Sequence, residues 1–169
     1  MGRLQATLEK LNIDDNTIIW FCSDNGPEGK IESDKRPGNT GGLRGRKRSL
    51  YSGGVGVPAF VKWPKKVKPN TTTNFIIGTL DSLPTLIDSL VFNMPDNRPI
   101  DGVSLLLMLE GKETSRKRPL PFMHKGKAAW IQGDLKYVSK GGSVVEVYNL
   151  RTDRFEQNNV IAQYPEKVE

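Results

Sequence analysis

Leu4, Leu8 and Leu11 recur at i, i+4 and i+7, so the chain is predicted to open with a helix carrying one apolar face. Asn12 is a helix stop, and Asp14-Asp15-Asn16 is turn chemistry. Thr17–Cys22 is β-branched and aromatic with no alternation, which predicts a strand buried on both faces in a parallel or mixed sheet. Ser23–Leu43 carries glycines and prolines among charged residues and reads as a long loop. Val55–Trp63 is a second apolar segment, closed by Pro64 and a basic turn, and is predicted as another strand. Leu80, Leu83, Ile87 and Leu90 have helical spacing, with Asp81 or Ser82 as the cap and Pro84 in the first turn. Asp101-Gly102 is expected to open a further helix, Val103–Leu109, that Gly111 ends.

Past Arg116–Pro121, which reads as a linker, the pattern changes. Ala128–Ser139 and Val144–Leu150 are rich in Val, Tyr, Trp and Ile and are parted by Gly141-Gly142, a signal for antiparallel strands. A helix leading into a buried strand, followed by runs of strand alone, predicts an α/β fold over residues 1–113. A small antiparallel C-terminal subdomain is expected over residues 114–169.

At 169 residues there is room for one domain with a core, or for one domain and an appendage. Hydrophobic content of 36% and charged content of 26% exclude a disordered class. The longest apolar runs, such as Leu105–Leu109, are far short of a bilayer span. The N-terminus lacks the apolar stretch of a secretory signal. The net charge of +6 favours anionic partners without choosing among nucleic acid, acidic glycans and sulfate or phosphate esters. A single cysteine, Cys22, excludes an internal disulfide and a cysteine-based metal cluster, and its apolar surroundings make it a buried small hydrophobe.

Candidate chemistry gathers where the first predicted strand ends. Asp24 and Asn25 are adjacent oxygen donors suited to Ca²⁺ or Mg²⁺, although Ser-Asp-Asn-Gly is equally good turn chemistry. Two oxygens fall short of the six to eight that Ca²⁺ takes. Lys47 follows in L-R-G-R-K-R, where glycine lets backbone approach an anion and lysine supplies a compact charge. Gly53-Gly54-Val55-Gly56-Val57-Pro58 is a flexible turn and does not match a P-loop. His124, the one histidine, sits beside Lys125 and Lys127, a context typical of a surface residue.

The ordered segments I-I-W-F-C-S-D-N-G-P, G-G-L-R-G-R-K-R-S-L-Y-S-G-G-V-G-V-P-A-F-V-K-W-P, T-L-D-S-L-P-T-L-I-D-S-L, I-D-G-V-S-L-L-L-M-L-E-G, A-A-W-I-Q-G-D-L-K-Y-V and V-Y-N-L-R-T-D-R-F-E-Q-N-N-V resemble the sulfatase family, arylsulfatase type, of the alkaline-phosphatase-like superfamily. The likeness covers nearly the whole chain and corresponds to the C-terminal part of such an enzyme. It implies incomplete α/β/α layers, and sulfuric ester hydrolysis in the complete enzyme by a formylglycine nucleophile. It matches Asp24 and Asn25 to the family's Ca²⁺-ligating pair, with Mg²⁺ as the alternative ion, and Lys47 to the lysine that contacts sulfate. Arg44 and His124 are further substrate-binding candidates. The implied partner is a sulfate ester, with sulfated glycan as one class; no nucleic acid and no membrane span are expected. The family's usual setting is extracytoplasmic: periplasmic, secreted or lysosomal.

Departures from the family pattern set limits. No C-x-P-x-R or S-x-P-x-R occurs, so the chain holds no nucleophile and is expected to be inactive alone. Ser52 and Gly56 stand where the family's E-G-G-x-R-V-P has glutamate and arginine, which is expected to weaken that turn. An exposed sheet edge is expected to favour self-association. Two alternatives stay open: a phosphate or phosphonate ester hydrolase of the same superfamily, and a non-catalytic basic module that binds anions through Arg44, Arg46, Lys47 and Arg48.

Overall fold

The computed structural model describes residues 1–29 and 38–165, which fall into two units. Met1–Cys22 groups with Pro58–Ser115, and Ser23–Val57 groups with Arg116–Glu169.

In the first unit, α1 (Gly2–Lys10) follows the leucine spacing, and Asn12 beyond it takes a left-handed φ of 54°. β1 (Ile19–Cys22) pairs antiparallel with β2 (Ala59–Lys62), Ile19 opposite Lys62 and Cys22 opposite Ala59. The expectation of a central strand in a parallel or mixed sheet is corrected here. Among the described residues β1 belongs to a two-stranded ribbon, and Phe21 is 40% exposed. A uniformly apolar run shows that a strand is coverable on both faces, not which segment covers it. Phe21 and Phe60 meet across the ribbon as stacked rings 5.1 Å apart, an arrangement worth about 0.5–1.5 kcal/mol beyond area burial. Cys22 is free and half-buried.

α3 (Ser82–Leu90) begins where the spacing put it. Asp81, fully buried, caps the preceding turn instead of the helix itself. Its Oδ2 accepts from the Gly78 N–H (2.8 Å), and its Oδ1 reaches the Val103 N–H (2.9 Å). Thr85 Oγ1 accepts from the Leu105 N–H (2.9 Å). A second correction follows: α4 is only Leu106–Leu109, and the Val103 and Leu105 N–H groups before it are satisfied by the side chains of Asp81 and Thr85. The Gly111 N–H then closes onto Met108 O (2.9 Å), as expected of a helix-ending glycine.

The second unit holds a four-stranded antiparallel meander in the order β3 (Leu120–His124), β4 (Lys127–Gln132), β5 (Leu135–Lys140), β6 (Ser143–Asn149). Gly141-Gly142 makes the predicted hairpin between β5 and β6. The run 128–139 is itself a hairpin, split at Gly133-Asp134, and stacks Trp130 on Tyr137 at 4.9 Å. Residues 120–121, assigned to a linker, start β3, where Pro121 is tolerated because β3 is an edge strand. Leu50, Ala129, Val138 and Tyr148 form the core cluster, with Tyr51, Val55, Phe122 and Leu150 packed against it. Part of the loop predicted over Ser23–Leu43 falls on residues 30–37, outside the described residues.

Candidate anion site

All five candidate residues belong to the second unit. Its organising element is α2 (Ser52–Val55), a single helical turn where the sequence suggested a flexible one. The backbone packs onto this turn so closely that no side chain fits. A Cβ on Gly53 would lie 2.3 Å from Gly45 O and 2.6 Å from Leu43 O, and one on Gly26 would lie 1.9 Å from Gly53 O. Hydrogen bonds hold the same contacts: Gly53 N–H to Arg44 O (2.7 Å) and Gly26 N–H to Gly54 O (2.8 Å). The glycines of both segments therefore permit backbone-on-backbone packing. That packing brings Asp24-Asn25-Gly26 and the 43–49 loop to the same helical turn. The Lys47 N–H adds a direct link to Pro27 O (3.1 Å).

A cavity of about 270 Å³ opens beside this junction. Asn25, Lys47, Arg48 and His124 line its polar side, and Leu50, Val55, Phe122 and Met123 its apolar side. Three candidates from distant parts of the sequence thus line one cavity. Asp24 is exposed next to Asn25 and takes a long hydrogen bond from Ser23 Oγ (3.4 Å). Asn25 Nδ2 donates to Gly26 O (2.9 Å), which orients the amide and leaves its carbonyl oxygen as an acceptor.

Arg44 does not line the cavity. Its guanidinium donates to Tyr148 Oη (2.6 Å), Glu156 O (3.0 Å) and Tyr51 Oη (3.1 Å), and lies over the Tyr51 ring at 3.8 Å. The Tyr51 hydroxyl in turn donates to Glu146. Burial first, then the Glu146 carboxylate, pushes the Tyr51 hydroxyl pKa up, so it stays a donor across the physiological range.

Lys47 Nζ lies 3.4 Å from Glu28 Oε2, and Arg48 pairs with the same carboxylate. The Arg48 hydrogen bond, with Lys47 adding to it, holds the Glu28 carboxyl below its ordinary range. A carboxylate competing for Lys47 has to give way to, or share with, an entering anion.

Ser52 and Gly56, which replace the family's glutamate and arginine, are both hydrogen-bonded in the turn. The Ser52 N–H donates to Glu156 Oε2 (2.6 Å), and Lys136 Nζ reaches both Ser52 Oγ (3.3 Å) and Glu156 Oε1 (2.7 Å). The Gly56 N–H closes on Ser52 O (2.7 Å), and a Cβ at Gly56 would lie 2.6 Å from that oxygen. Lys136 and Glu156, both fully buried, were not picked out from the sequence. The available signal was a lysine inside an apolar strand segment, L-K-Y-V.

Residues 1–90 match the family model described as Sulfatase, more than half of the chain, and the chain belongs to the sulfatase family. An N-acetylgalactosamine-6-O-sulfatase of Bacteroides thetaiotaomicron is 31% identical over 99% of this chain and 37% of its own length. Ps i-CgsB, solved in complex with k-i-k-neocarrahexaose, superposes with a TM-score of 0.83 at 27% identity, over 97% of this chain and 36% of that one. A protein solved with its substrate D-glucosamine-2-N,6-O-disulfate superposes with a TM-score of 0.73 at 26% identity, over 98% of this chain and 34% of that one. The chain therefore spans little more than a third of the length of these relatives. Among the described residues no helix is long and apolar enough to cross a membrane.

Proposed function

We propose that this chain supplies the anion-holding part of a sulfuric ester hydrolase acting on a sulfated glycan in an extracytoplasmic setting. One observation carries the proposal: in a sulfatase-family chain, Asn25, Lys47 and His124 line a single cavity. Lys47 neutralises sulfate oxygens through charge-assisted hydrogen bonds. Phe122 and Met123 offer an apolar face to a sugar ring, and His124 stands on the same strand to hydrogen-bond its hydroxyl groups.

Asp24 and Asn25 suit a hard cation by the chemistry of their oxygens, as a partial set. Among the described residues no group of three or more His, Cys, Asp or Glu is placed to hold a metal. A Ca²⁺ held by the Asp24 carboxylate and Asn25 Oδ1 would draw charge from the sulfate oxygens as the ester bond weakens. The nucleophile lies in no C/S-x-P-x-R motif of these 169 residues, so the chain alone is expected to bind the anion without turning over esters.

Titration of the full chain with inorganic sulfate, followed through the Gly26 and Lys47 amide resonances, tests this. Lys47→Ala is expected to weaken binding roughly tenfold to a hundredfold, the scale of a lost charged hydrogen bond. Glu28→Gln is expected to tighten it severalfold by removing the competitor for Lys47. Equal sulfate affinity in Lys47→Ala, or hydrolysis of an aryl sulfate by the pure chain, would count against the assignment.

A further inference from the structure

The Lys136–Glu156 pair does not line the cavity, yet both of its charged side chains are fully buried. Both side chains are 0% exposed and their charged atoms are 2.7 Å apart. Removing two charges from water is costly, and a buried pair is often no more stabilising than well-packed apolar groups. Its presence therefore calls for a geometric explanation, and its neighbours offer one.

Glu156 receives the Ser52 N–H, the first donor of α2, which has no partner within that single turn. Lys136, on the interior strand β5, holds the other carboxylate oxygen and reaches Ser52 Oγ. Burial pushes the Lys136 pKa down while Glu156 pulls it back, as expected of a charge retained only through its partner. From Ser52 the linkage is short. Gly53 binds Arg44 O and Gly54 binds the Gly26 N–H, so the segments bearing Lys47 and Asn25 both hang on α2. The Arg44 guanidinium ties back to Glu156 O.

We propose that Lys136 and Glu156 are positioning residues of the anion site: they set α2 on the C-terminal sheet, and α2 sets the spacing of Asn25 and Lys47. The functional part of this proposal rests on the sulfate assignment above; the positional part does not.

The test replaces the pair by apolar groups in the full chain, as the double variant Lys136→Met/Glu156→Leu, with Lys112→Met as a surface control. Amide hydrogen exchange and sulfate titration are read together. The expected result is retained protection in β4–β6, at least tenfold faster exchange at Ser52, Gly53 and Gly26, and at least tenfold weaker sulfate binding. Unchanged exchange at those three amides overturns the proposal. Faster exchange with unchanged sulfate affinity overturns its functional half. If the wild-type chain does not bind sulfate, the sulfate assignment falls, and the exchange result alone decides the positional half. Should the double variant not fold, Glu156→Gln keeps an oxygen for Ser52 while removing the charge. Exchange and affinity unchanged from wild type in that variant would likewise overturn the proposal.

Discussion

The two units enclose their apolar groups to very different extents. Among the described residues, the unit built on Ser23–Val57 and Arg116–Glu169 encloses eight of the ten core hydrophobics, from Leu50 to Tyr148, and a lysine and a glutamate with them. In the other unit only Ile19 and Leu105 reach that degree of burial, while Leu83, Leu90, Val91 and Phe92 stand 52–88% exposed on and just after α3. The first arrangement can specify a geometry, because the backbone around Lys47 is fixed by the hydrogen bonds Lys47 N–H to Pro27 O, Ser49 N–H to Arg46 O and Gly53 N–H to Arg44 O. The second leaves a contiguous apolar stretch in water, the kind of surface that marks a contact region. The site-bearing unit is thus the self-sufficient one, which suits a part that has to keep two short loops in register.

The largest effect expected from testing this contrast concerns glycine. Gly26→Ala or Gly53→Ala should destabilise the site-bearing unit by about 1–3 kcal/mol, since each new Cβ meets a carbonyl at 1.9 or 2.3 Å. Gly2→Ala, in α1 with nothing within 4 Å, should instead stabilise by about 0.5–1 kcal/mol. Urea unfolding followed separately in each unit by amide exchange distinguishes the two, and equal responses would remove the contrast.

A smaller effect is expected at the exposed stretch. Val91→Lys with Phe92→Ser should change stability by no more than about 0.5 kcal/mol, yet reduce self-association seen by sedimentation. A loss of several kcal/mol would mean these side chains are covered.

The smallest effect is on acid stability. Lys112 first, then Lys66, hydrogen-bond Glu110 and hold its carboxyl at about 2, below the ordinary 4.5. A folded-state pKa below the unfolded one gives stability that is complete above pH 4.5 and is lost as pH falls toward about 2. Glu110→Gln should therefore lower Tm slightly at pH 6, with the difference from wild type gone near pH 2.

Local chemistry was enough to locate much of this molecule. The leucine spacing placed α1 and α3, and Gly141-Gly142 placed the β5–β6 hairpin, because these elements follow from side-chain periodicity and turn conformation. Asn25, Lys47 and His124 could be named as candidates from residue type and family likeness, but their common cavity could not, since it depends on segments about 20 and 80 residues apart meeting.

What the amino-acid order determined by itself is the family, the kinds of element, and the oxygen and ammonium groups available for an anion. Only the tertiary structure decided that β1 joins an antiparallel ribbon, that Asp81 and Thr85 take the Val103 and Leu105 N–H groups, and that Arg44 serves the scaffold. It also decided that a lysine and a glutamate twenty residues apart are buried together against Ser52. The physical reason is range: helix periodicity and turn preference act over a few residues, whereas strand pairing, buried charge and backbone close approach depend on partners the local sequence does not name.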